Sequence, residues 1–166
     1  ELVLDAGAMD VLVADTPAKI KDAWAARSSF LEAIMHETKL LDECDVVVPV
    51  NKIADYLDFV NKTGEDCGLV IKSFGHAGDG NLHIYQCSND LEEEEFKSRV
   101  DKFFEIIYKE AASCGGLVSG EHGIGSGKIK YLVDSVGETN MALMEGIKRV
   151  FDPKMILNPG KVCYRL

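Results

Sequence analysis

The sequence predicts an α+β fold: an antiparallel or mixed sheet covered on one face by helices, then a C-terminal helical segment. Strand-like runs alternate with helical ones along the chain. One hairpin signal, Asp79-Gly80, lies between two extended runs near the middle. No repeat, linker or low-complexity stretch divides the 166 residues, a length that suits one domain with its own core.

The composition, 46% hydrophobic and 28% charged, is that of an ordinary soluble protein. A net charge of −10 disfavours nucleic acid and anionic membrane surfaces as partners, and requires any pocket for an anion to be locally positive. No apolar run reaches the roughly 18 residues of a membrane span. No signal peptide is visible. The five cysteines are odd in number and lack a CxxC pair, which reads as reduced thiols in a cytoplasmic protein. The chain opens on Glu1 rather than Met, as a piece of a longer protein would.

Leu2-Val3-Leu4 and Val11-Leu12-Val13 read as short strands. Thr16-Pro17 opens a helix, with Thr as N-cap and Pro at the first helical position, and apolar spacing carries it through Met35. Residues 45–50 form a β-branched run ended by a proline, a buried strand. Ile53, Tyr56, Leu57 and Val60 line one helix face, and Gly68 stops that helix. Leu69-Val70-Ile71 leads into the hairpin. Asn89-Asp90 caps the next helix, with Glu92 to Glu95 in a first turn where the helix dipole favours negative charge. Phe96, Val100, Phe103, Phe104, Ile107 and Tyr108 are its buried face, and Gly115-Gly116 ends it. Leu117-Val118-Ser119 is a short strand. Helices follow over about 128–133 and 138–151, and Asp152-Pro153 stops the second.

Two glycine-flanked sites carry the chemistry. With Asp79-Gly80 as a two-residue turn, His76 and His83 become a directly opposed pair, Cβ atoms roughly 4.5–5.5 Å apart, fit to share one metal ion. Phe74 and Tyr85 continue that face. Gly120-Glu121-His122-Gly123 sets a carboxylate beside an imidazole, and two His plus one carboxylate with open positions is a catalytic metal arrangement. Glu121 and His122 are adjacent, so both can serve one site only if residues 120–125 form an irregular loop. Gly127-Lys128 is no phosphate loop: His122 and Ile129 stand where Gly and Ser or Thr are needed.

Three motifs, residues 75–83, 119–125 and 152–162, resemble in this order the C-terminal part of FAD-linked oxidases, the group of D-lactate dehydrogenase, glycolate oxidase and D-2-hydroxyglutarate dehydrogenase. The resemblance covers nearly the whole chain and implies a ferredoxin-like domain that works with an N-terminal FAD domain not recognisable here. It implies His76, His83 and Glu121 as ligands of a divalent metal (zinc, manganese or iron). It further implies His122 as the base that takes the substrate hydroxyl proton, Arg27 as the group holding the substrate carboxylate, and Asn158 as a neighbour of the flavin. From the residues alone Arg27 reads as a surface ion pair and Asn158 as part of a terminal turn. The resemblance departs at two places from family members that take a dicarboxylic substrate, which carry Asn where Tyr85 stands and Lys where Glu43 stands. Tyr85 at the substrate and Glu43 nearby therefore favour a small monocarboxylic D-2-hydroxy acid. The implied electron partners are an electron-transfer flavoprotein or an iron–sulfur subunit, a quinone or oxygen. A non-catalytic metal- or ligand-binding module is the other reading of the same residues.

Overall fold

The computed structural model describes residues 2–163. The chain divides into two compact units, Glu1–Thr38 and Lys39–Leu166.

The first unit is helical. Residues 2–4, expected as a strand, lie in a one-turn helix α1 (Leu2–Asp5), and residues 11–13 adopt no regular structure. Each run is too short to form a sheet without a partner strand. The expected helix is two: α2 (Pro17–Ser28) and α3 (Phe30–Glu37). Thr16 caps α2 as expected, its Oγ1 accepting from Lys19 N at 3.3 Å. The break falls at Ser29, whose hydroxyl donates back to Ala26 O at 2.9 Å and competes with the helical ladder.

The second unit is a three-stranded antiparallel sheet in the order β1-β3-β2: β1 (Leu40–Val47), β2 (Val70–His76) and β3 (Asn81–Ser88). β1 starts five residues before the β-branched run and stops ahead of Pro49. α4 (Ile53–Cys67) connects β1 to β2 and ends on Gly68, left-handed at φ 66°. α5 (Glu93–Ser113) follows β3. Asn89 and Asp90 do not cap it; Glu92 is the cap residue, and Asn89 Oδ1 instead accepts from Lys39 N at 2.9 Å, tying the end of β3 to the start of β1. The expected strand at 117–119 is reduced to one antiparallel bridge, Leu117 to Val47. α6 (Ile129–Phe151) contains both expected helices, joined across a kink at Gly137, φ 77°.

Alternation along the strands separates two faces. Cys44, Val46, Leu82 and Ile84 turn toward α4 and α5 and join Val60, Val100, Phe103 and Ile107 in the core. Full burial of each such aliphatic or aromatic side chain contributes about 1.5–3 kcal/mol. Tyr56 on α4 donates to Ile107 O on α5 at 2.9 Å, locking the two helices. The opposite face carries Glu43 and Asp45 from β1, Phe74 and His76 from β2, and His83 and Tyr85 from β3. No helix among the described residues is long and apolar enough to cross a membrane.

Candidate metal and proton-transfer site

The hairpin register differs from the expected one. His76 pairs with Asn81 and His83 with Phe74, so the loop holds four residues, 77–80. The turn closes early because His76 O accepts from both Asp79 N (3.3 Å) and Gly80 N (3.0 Å), and Asp79 Oδ1 accepts from Asn81 N at 3.0 Å. Gly80 O is taken by Val48 N at 3.1 Å, which docks the loop against β1. The slip is two residues, and the side-chain period of a strand is two. His76 and His83 therefore keep one face as a diagonal pair, ring centroids 5.7 Å apart. Phe74 stacks on Tyr85 at 5.2 Å and 21°, a wall beside the pair.

The second motif is an irregular loop, as its adjacent Glu and His require. Asp45, fully buried and opposite His83 on β1, shapes it. Its Oδ2 accepts from the backbone N–H groups of Gly120 (2.8 Å), Glu121 (2.8 Å) and His122 (2.9 Å) and from Ser119 Oγ (2.9 Å). Its Oδ1 pairs with the Lys128 ammonium. Burial alone would push the Asp45 carboxyl up; Lys128 and the loop amides overcome this and hold it well below the usual carboxylate range. A Cβ on Gly120 would lie 2.1 Å from Asn81 Oδ1 and force that buried side chain to move. The curled loop turns both Glu121 and His122 toward the hairpin.

Three ligand atoms converge there. Glu121 Oε1 is 3.0 Å from His83 Nε2 and 3.5 Å from His76 Nε2. Donor atoms bound to one ion at about 2.0–2.2 Å lie roughly 3.0–3.5 Å apart, so this set fits a divalent cation. His83 is buried, whereas His76 and Glu121 are partly exposed and leave an approach open, as a catalytic site needs. The His122 ring lies 4.8 Å from that of His83. A second group shares His83: Glu43 Oε1 is 3.4 Å from His83 Nδ1 and 3.3 Å from His122 Nδ1. That oxygen already accepts the Tyr85 hydroxyl at 3.0 Å, and the His83 Nδ1 approach is within ion-pair reach without completing a hydrogen bond. The first set, whose carboxylate oxygen carries no such hydroxyl, is the better cation site.

Residues 1–162 match the family of FAD linked oxidases, C-terminal domain. The chain belongs to that family. It is 61% identical over its full length to a D-lactate dehydrogenase of Anaerostipes hadrus, covering 35% of that protein. It is 36% identical over 93% of its length to glycolate oxidase subunit GlcD of Bacillus subtilis, covering 33% of it. A D-2-hydroxyglutarate dehydrogenase of Stutzerimonas stutzeri is 31% identical over the same share of this chain, again with 33% covered. The chain thus spans about a third of the length of these curated relatives.

Within this FAD-linked oxidase domain the expected residues fall into three places. His76, His83, Glu121, His122 and Tyr85 come together. Asn158 stands in the turn after α6 at φ 44°, a left-handed conformation Asn tolerates. Four residues on, Val162 N donates to Gly125 O at 2.8 Å, bringing that terminal segment to the loop of Glu121 and His122. Arg27 lies in the last turn of α2, in the first unit. The sequence reading missed Asp45 and Lys128 and took Glu43 only as a charge. The signal was available: Glu43 and Asp45 are two apart in a strand, hence on one face with each other and with any histidine paired to them.

Proposed function

We propose that this chain is the substrate- and metal-binding domain of an FAD-dependent dehydrogenase that oxidises a small D-2-hydroxy acid, lactate- or glycolate-like, to the 2-oxo acid. The convergence of His76, His83 and Glu121 beside the His122 ring carries this reading. The 61% identity to a D-lactate dehydrogenase supports it. The β-α-β-β-α order with a vestigial fourth strand beside β1 supports a ferredoxin-like domain. The FAD is held mainly by an N-terminal domain of the same polypeptide, with Asn158 reaching it from this one.

His76, His83 and Glu121 hold the cation. When bound, the cation would supply Lewis-acid polarisation of the substrate hydroxyl and the flavin a two-electron acceptor for the hydride leaving C2. His122 takes the hydroxyl proton, leaving the 2-oxo group. By resemblance to the family, Arg27 of the first unit would be the partner of the substrate carboxylate. Tyr85, wedged between Phe74 and Glu43, closes the space a second substrate carboxylate would occupy.

Metal analysis of the intact flavoprotein, with turnover of a panel of D-2-hydroxy acids, tests this. One metal per chain and selective turnover of short monocarboxylic D-acids are expected. Bound metal without turnover of any hydroxy acid would make the domain a non-catalytic binding module.

A further inference from the structure

Glu43 occupies a position that the reaction as described does not use. Its Oε1 faces the same nitrogen, Nδ1, of two imidazoles: His83 at 3.4 Å and His122 at 3.3 Å. The Tyr85 hydroxyl donates to the same oxygen at 3.0 Å and fixes where it sits. A neutral imidazole carries one N–H and one lone pair, and the group facing one nitrogen decides which nitrogen has the proton. At His83 the approach stops short of a hydrogen bond, so it is the negative charge of an acceptor-only carboxylate at 3.3–3.4 Å that favours N–H at both Nδ1 atoms. That leaves a lone pair on each Nε2. For His83 this is the atom 3.0 Å from Glu121, where a cation needs a lone pair. For His122 it is the atom left to accept a proton.

We propose that Glu43 is a positioning residue for both histidines: it sets the Nδ1–H tautomer of His83 for metal ligation and of His122 for proton acceptance. This deepens the functional reading above and rests on it. The charge serves the two rings, and its effect on substrate choice is secondary. Acid–base balance is kept: the substrate hydroxyl proton goes to His122 Nε2, and Glu43 Oε1 faces the doubly protonated ring that results.

The test is Glu43→Gln in the intact flavoprotein, whose side chain keeps its length but loses the charge that selects the tautomer. Expected are a metal Kd raised about 10–100-fold through His83, and a kcat that stays low on the order of 10²–10⁴-fold at saturating metal with KM little changed. Nitrogen-15 spectra of labelled histidines should show His83 and His122 leaving the Nδ1–H form. Glu43→Asp, which keeps the charge, should recover part of both losses, and this also guards against a folding defect in the Gln variant. Wild-type kcat and metal affinity in Glu43→Gln, or full recovery of kcat by added metal, overturn the proposal. It is also overturned if His122→Ala removes the metal while Glu121→Ala retains it, because the cation would then sit on Glu43, His83 and His122. A wild-type protein that binds no metal and oxidises no hydroxy acid defeats the functional reading itself, an outcome distinct from all of these.

Discussion

Asp45 and Lys128, 83 residues apart in the chain, form an ion pair between a fully buried carboxylate and a mostly covered ammonium beneath the loop that carries Glu121 and His122. The pair does more than neutralise charge. The second Asp45 oxygen gathers three successive backbone N–H groups, and this curls residues 119–123 into one shape. A strand there would send Glu121 and His122 to opposite faces. The anchor thus converts two adjacent residues into two members of one site.

Asp45→Ala should cost about 3–5 kcal/mol of stability, the usual effect of deleting one partner of a buried pair. Lys128, mostly covered, is then left without its anion, and the loop amides lose their acceptor. Denaturant unfolding measures this. A loss under about 1 kcal/mol would mean that the loop holds its shape without the anchor.

The same carboxylate sets an acid limit. Its folded value lies below the ordinary 3.8, so its stabilisation is complete above that value and is lost as pH falls beneath it. Asp152 has the same sign: burial raises it, but the Leu157 and Ile156 amides and Lys148 hold it down. The wild type and Asp45→Ala should therefore differ by a constant amount near neutrality and draw progressively closer as pH falls below 3.8. A difference that widens on acidification would give the carboxylate the opposite shift.

The helices, the antiparallel hairpin and the gathering of His76, His83, Glu121 and His122 were legible in the sequence. Their signals are local: apolar spacing, glycine punctuation, and the face parity of a strand. Parity explains why a register wrong by two residues still put both histidines on one face. For Asp45 strand parity gave the face but not the role, because that role depends on a contact with residues 119–122 that no local pattern encodes. The strands expected at 2–4 and 11–13 failed for the same reason: β-propensity counts only where a partner strand exists.

His122 and Glu121 should separate in function. Glu121→Ala removes a proposed cation ligand and should abolish stoichiometric metal in the full-length protein. His122→Ala should keep the metal and lower kcat by about 10²–10⁴. Metal content and single-turnover flavin reduction read the two apart, and equal metal loss in both variants would make His122 a ligand.

Tyr85 should exclude dicarboxylates. Its ring is buried against Phe74 and its hydroxyl is tied to Glu43, so it cannot swing aside without losing both contacts. Catalytic efficiency should be higher for D-lactate than for D-2-hydroxyglutarate, and Tyr85→Asn should narrow the gap. An equal or reversed preference in the wild type would assign the discrimination to other residues.

The hairpin loop offers a paired test in two glycines. Gly80 has φ 80°, and a Cβ there would lie 1.9 Å from Val48 O. That carbonyl is backbone, so it cannot rotate away as a side chain would. Gly78 has open space around its Cβ position. Gly78→Ala should leave stability within about 0.5 kcal/mol. Gly80→Ala combines the left-handed strain with the clash and should cost well over about 1 kcal/mol. Because Gly80 O also accepts from Val48 N, relieving the clash lifts the loop from β1 and disturbs the spacing of His76 and His83. Metal affinity should therefore fall in Gly80→Ala and hold in Gly78→Ala. Denaturant unfolding and metal titration on both variants decide it: equal effects would show that the loop's docking on β1 does not set the geometry of the histidine pair.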